Sequence, residues 1–168
     1  MSIWKQPPSP RGPRTRYCPC VTGAHGPTER AQHALEAVAL GSVAVTTRAL
    51  ASTALDLTFV QWRVLVIVGE DEDGATVSEI AIRLGAEISP LSRLVGRLAR
   101  RGLVATGKDE RDRRVTRVNL TDAGRAIRET VLRRRRELLA VVLAGIGPIG
   151  SDVVAVLEQI GDGFRSFT

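Results

Sequence analysis

The chain has 168 residues, enough for one domain or two small ones with a sizeable core, and 43% of them are hydrophobic against 4% aromatic. Its net charge of +6 is unevenly placed: residues 88–136 hold 15 Arg+Lys and 5 Asp+Glu, while the rest of the chain holds 9 and 13. A confined basic stripe is the electrostatic footprint of a surface that binds a polyanion. No run has the uninterrupted apolar length of a membrane span, and the N-terminus lacks a signal-peptide core, so a cytoplasmic protein with no membrane partner is expected.

Residues 1–27 contain six of the eight prolines, which remove amide donors and block helix, so they read as a tail. Lys5, Arg11, Arg14 and Arg16 suit a flexible arm on DNA, although the composition favours plain solvation. The two cysteines, Cys18 and Cys20, make no disulfide framework. With His25 they supply three ligands where structural zinc wants four at other spacings, so no metal is expected.

Residues 28–52 read as a long helix, with Leu35, Val38, Ser42, Val45 and Ala49 at three- and four-residue steps. Its small apolar surface belongs either to the core or to a subunit interface. Thr58 and Gln61 have the spacing of a capping box, which favours helix over strand for the apolar run to Val68. Trp62 reads as core or pocket wall. Thr76 and Glu79 form a second capping box, opening a short helix that Gly85 ends.

After a brief turn, Ser89 is expected to cap the next helix, with Pro90 at its first position. Leu91, Leu94, Val95 and Leu98 face inward, leaving Ser92, Arg93, Gly96, Arg97, Arg100 and Arg101 outside, and Gly102 stops it. Two short helices with a basic outer face on the second make the pattern of a helix-turn-helix. A major groove admits one α-helix, whose first turns present Ser and Arg to base edges. The competing reading is a charged, solvated face.

Leu103–Thr106 and Val115–Leu120 are strand-like, and the polar loop Gly107–Arg114 between them would carry Arg111, Arg113 and Arg114 at its tip. A hairpin behind a helix-turn-helix is a wing, and arginine suits the narrow, negative minor groove. Asp112 would repel phosphate, so its expected role is to pair with a neighbouring Arg and stabilise the wing.

G-L-V at 102–104, D-R-R at 112–114 and L-T-x-x-G at 120–124 together resemble the wing signature of the MarR (multiple antibiotic resistance regulator) family, and L-S-R-L-V-G-R-L at 91–98 is similar to its recognition helix. The resemblance covers about residues 28–168. It implies a mainly α fold with a small β-hairpin wing, a winged helix-turn-helix between N- and C-terminal dimerisation helices. Two departures stand out: Thr106 where the family often has Arg, and Gly96 where a longer polar residue is usual.

Thr121 opens a helix to about Leu143 that includes four consecutive arginines, Arg133–Arg136, read as a solvated or salt-bridged face. After G-I-G-P-I-G at 145–150, a last helix carries Val153, Val154, Leu157, Ile160 and Phe164 on one side and needs a partner surface. The organisation is thus a tail (1–27), an N-terminal dimerisation helix (28–57), the winged helix-turn-helix (58–120) and C-terminal dimerisation helices (121–168).

The expected function is a transcription regulator, with repression as its expected sign, binding a palindromic site on double-stranded DNA as a homodimer. Ser89, Ser92, Arg93 and Arg97 are the candidates for the major groove and backbone, and Arg111, Arg113 and Arg114 for the wing tip. The resemblance also implies release by a small phenolic or anionic effector, whose site the residues do not identify. A competing expectation, resting on Gly96 and Thr106, is a protein-interaction module that kept the fold. Among these residues there is no Gly-rich phosphate loop, metal-ligand cluster or nucleophile elbow, so neither an enzyme nor a cofactor is expected.

Overall fold

The computed structural model describes residues 26–109 and 112–167, with side chains described through Phe164. The tail residues Cys18, Cys20 and His25, and Arg111 of the wing, lie outside the described residues. The chain divides into two compact units, Met1–Ala39 and Leu40–Thr168. The first contains the opening turns of helix α1 (Pro27–Ala51), largely exposed, with Val38 at 60%.

Helix α1 corrects one expectation. An 18-residue window within it has a mean hydropathy of 1.3, long and apolar enough by length and composition to cross a membrane. Ala, Val and Leu carry the window, and uncharged Ser and Thr dilute it without breaking it. Its last turns instead join the core of the second unit, where Thr46, Ala49 and Leu50 are buried.

In the second unit, α2 (Phe59–Val68) is the central element. Trp62, Val64, Leu65, Ile67 and Val68 are all at most 2% exposed, so the helix is wrapped on most sides. Thr58 and Gln61 form the reciprocal capping box that starts it. A two-residue strand, β1 (Ala75–Thr76), follows, then α3 (Val77–Leu84), opened by the box between Thr76 and Glu79 and closed by Gly85 at φ 60°. The backbone amide of Thr76 donates to Glu79 and holds that carboxyl below its ordinary value.

Helix α4 (Ile88–Arg100) leads into the hairpin β2 (Val104–Lys108) and β3 (Thr116–Leu120). The wing is a three-stranded antiparallel sheet ordered β1-β3-β2, not a lone hairpin. Ala75 pairs with Val118, and Val104 with Leu120. This makes β3 the central strand and puts Val118 and Leu120 in the core. Two residues are too short for an alternating pattern, which is why β1 is not visible as a strand in the sequence.

Helix α5 (Asp122–Ala144) starts from Thr121, whose hydroxyl accepts from the Gly124 amide at 3.1 Å and donates to the Gly102 carbonyl at 2.5 Å. Gly124 packs directly on the chain ahead of β2: a Cβ there would overlap the Leu103 carbonyl oxygen. The L-T-x-x-G pattern therefore locks α5 to the root of the wing. Helix α6 (Ser151–Phe167) follows, with Val153, Val154, Leu157 and Phe164 about half exposed.

Candidate nucleic-acid interface

Helix α4 is strongly two-sided. Leu91, Val95 and Leu98 are at most 3% exposed, while Ser89, Ser92, Arg93, Gly96, Arg97 and Arg100 lie open on the other face. The helix starts two residues earlier than the sequence indicated. Glu87 is its N-cap, without a side-chain bond, so Ser89 and Pro90 occupy the second and third helical positions. The early start is possible because amides of the first turn have no partner within a helix, so proline is tolerated at the third position as well as the first. Ser89 is thereby left uncommitted as a cap and exposed. Ser92 Oγ donates to the Ile88 carbonyl at 2.9 Å, keeping its lone pairs outward.

Arg101 is exposed as expected, but its guanidinium is committed to the protein's own backbone. Its Nη1 donates to the Asp56 carbonyl at 3.0 Å, tying the end of α4 to the chain entering α2.

In the wing, Asp109 N donates to Val115 O at 3.1 Å and Val115 N to Asp112 O at 2.9 Å, so Asp112–Val115 form a closed turn. Arg113 and Arg114 are exposed on it. Among the described residues Asp112 pairs with no guanidinium. Its Oδ1 accepts the backbone amide of Arg114 at 2.9 Å, because a carboxylate two residues ahead meets the amide of its own turn first. The ion pair of the described wing is Arg117 with Asp109: Nε and Nη2 lie 2.7 and 2.6 Å from Oδ2. That bond holds the Arg117 guanidinium above its ordinary value.

Elsewhere several arginines are matched locally. Arg83 pairs with Glu70, Arg125 with Asp122, Arg134 with Glu137 and Arg136 with Glu129. Arg135 is half-buried against Ser42, and burial holds it below its ordinary value. Such exposed pairs add little stability, but they cancel charge locally. By contrast, among the described residues no hydrogen bond or ion pair engages the guanidiniums of Arg93, Arg97, Arg113 or Arg114. Uncompensated positive charge therefore collects on the outer face of α4 and at the wing tip, two surfaces joined through the packing of α4 on β2.

Neither departure from the family pattern disturbs this surface. Nothing lies within 4 Å of the Cβ that Gly96 lacks, and Thr106 sits exposed in β2 opposite Val118. What the sequence reading missed is the Asp109–Arg117 pair. The signal lay in the hairpin register: Gly107 opposes Arg117, so Asp109 is a diagonal neighbour on the same sheet face.

Residues 55–115 match the family model described as MarR family. The HTH-type transcriptional repressor IacR of Pseudomonas putida is 34% identical over 92 residues, 55% of this chain and 54% of that protein. The chain thus spans about half the length of that curated relative. Among solved structures, RV1404 from Mycobacterium tuberculosis superposes with a TM-score of 0.72 at 24% identity, covering 83% of this chain and 95% of that one. CouR from Rhodococcus jostii RHA1, solved bound to p-coumaroyl-CoA, gives 0.66 at 26% identity, covering 83% and 92%.

Proposed function

This chain belongs to the MarR family through its winged helix-turn-helix, and from that premise we propose that it regulates transcription by binding duplex DNA as a homodimer at an inverted repeat. The observation that carries the reading is the unpaired arginine set, Arg93, Arg97, Arg113 and Arg114, on one helix face and one hairpin tip. An α-helix fits a major groove, and arginines beside it reach phosphates and guanine edges. Ser89 and Ser92 stand on the same exposed face and supply short hydroxyl contacts. Arg113 and Arg114 enter the neighbouring minor groove, held by the turn that Asp112 closes.

The homodimer reading is supported by the apolar residues left open on α5 and α6, among them Val141, Val142, Val153 and Leu157. Two-fold symmetry sets the recognition helices roughly 34 Å apart, one DNA turn. Repression is the sign favoured by the relative named above, a repressor by name. Release by a small anionic effector is supported by an open groove of about 630 Å³ between α1 and α5, lined by Val45, Ala51, Leu138 and Val141 with Arg48 at its side.

Selection of bound duplexes from a random pool tests the central reading. Enrichment of an inverted repeat with half-sites about one turn apart is expected. Recovery of bulk DNA without enrichment overturns it.

A further inference from the structure

The wing arginines do not hold themselves in place. Asp109 at the base of the tip is 8% exposed, unusual burial for a carboxylate. Its Oδ2 accepts from Arg117 Nε and lies in ion-pair contact with Nη2, and its Oδ1 accepts the Asp112 amide at 3.2 Å. Asp112 Oδ1 in turn accepts the Arg114 amide. At the other end, Arg117 Nη1 donates to the Asp73 carbonyl at 3.3 Å, in the turn between α2 and β1. A hydrogen-bonded line thus runs from Asp73 through Arg117, Asp109 and Asp112 to Arg114.

We infer that Arg117 and Asp109 form a strut that ties the wing tip to the turn before α3, setting the direction in which Arg113 and Arg114 are presented relative to α4. The inference rests on the DNA-binding reading for its consequence, not for its geometry. Arg117 is the one arginine of β3, and it is spent on Asp109 while its neighbours at the tip are unspent. It lies on the sheet face opposite Val118, so its side chain contributes nothing to the apolar core. Glu79 at the start of α3 and Asp73 are the further charged groups whose fields reach Arg117, and both favour its charged form. Arg117 is a positioning residue: it acts through the tip arginines and touches no DNA itself.

The test is a double-mutant cycle on a selected duplex, with Arg117→Gln and Arg114→Ala singly and together. Arg117→Gln is expected to weaken binding roughly tenfold and to erase hydroxyl-radical protection of the flanking minor groove, with protection under α4 retained. In the Arg114→Ala background the same substitution is expected to change little, because the residue it positions is gone. Losses that simply multiply would overturn the strut, as would wild-type affinity for Arg117→Gln. Amide exchange on the free protein reads the strut without DNA. Exchange at Asp112 and Val115 should quicken roughly tenfold in Arg117→Gln while Val118 holds its rate. Unchanged exchange at the tip overturns the strut. Failure of the wild-type chain to bind any duplex overturns the regulatory reading instead, and the exchange arm still decides the strut.

Discussion

Two arginine-rich regions of this molecule differ in how far their charge is matched. Helix α5 carries Arg133–Arg136 in a row, yet Arg134 and Arg136 are matched by Glu137 and Glu129 and Arg135 is turned in toward Ser42, which leaves Arg133 as the one of the four that is exposed without a partner among the described residues. On α4 and the wing tip, Arg93, Arg97, Arg113 and Arg114 have no such partner among the described residues. Charge density marks both regions; what sets the second apart is a cluster of arginines without counter-ions on one helix face and one hairpin tip. A guanidinium with its own carboxylate has already made its strongest bond, while an unmatched one makes it with phosphate.

The largest effect that would break this contrast comes from removing each set in turn. Arg93→Ala with Arg97→Ala is expected to lower affinity for the selected duplex on the order of 100-fold, at about 1–3 kcal/mol per contact. Arg134→Ala with Arg136→Ala is expected to leave it within about twofold by the same gel shift, since exposed pairs carry little energy. Equal losses from the two sets would erase the distinction. Arg114→Ala alone should cost roughly tenfold and flatten the salt dependence by about one unit.

Gly96 sharpens the contrast from the other side. The space around it is open, so Gly96→Ala should raise stability by up to about 1 kcal/mol in thermal unfolding, through helix propensity alone. If the α4 face lies close against DNA, the same substitution lowers affinity, and the two signs oppose each other. The smallest effect belongs to Glu79. Its carboxyl is depressed mainly by the Thr76 amide, so the stability it adds is present above the ordinary value of 4.5 and is lost as pH falls through the lower folded value. The difference in melting temperature between wild type and Glu79→Gln should shrink on acidification into that range.

How far these features are visible in the sequence depends on how local they are. The capping boxes at Thr58/Gln61 and Thr76/Glu79 and the stop at Gly85 are each made within one turn of chain, and each stands where its residues indicate. The α4 face is likewise written in a three- to four-residue period. The features that sequence did not show are made between distant segments. Strand β1 exists only because β3 lies beside it, Arg101 turns to a carbonyl 45 residues away, and Arg117 reaches both Asp109 and Asp73. Asp112 is instructive in between: a stabilising role was readable from its charge, but its partner is a backbone amide fixed by the turn. Gly124 shows the reverse, a readable motif whose cause, the Leu103 carbonyl at its Cα, appears only in three dimensions.

The central claim is that four unmatched arginines meet DNA phosphate and base edges. Salt-titrated binding of the wild-type chain, set beside a variant with Arg93, Arg97, Arg113 and Arg114 all changed to Ala, tests it most directly. Each phosphate contact contributes a slope of about −0.9 in log affinity against log salt. The account predicts a steep wild-type slope and one shallower by about one unit for each of these arginines that meets phosphate. An unchanged slope in the variant would contradict it.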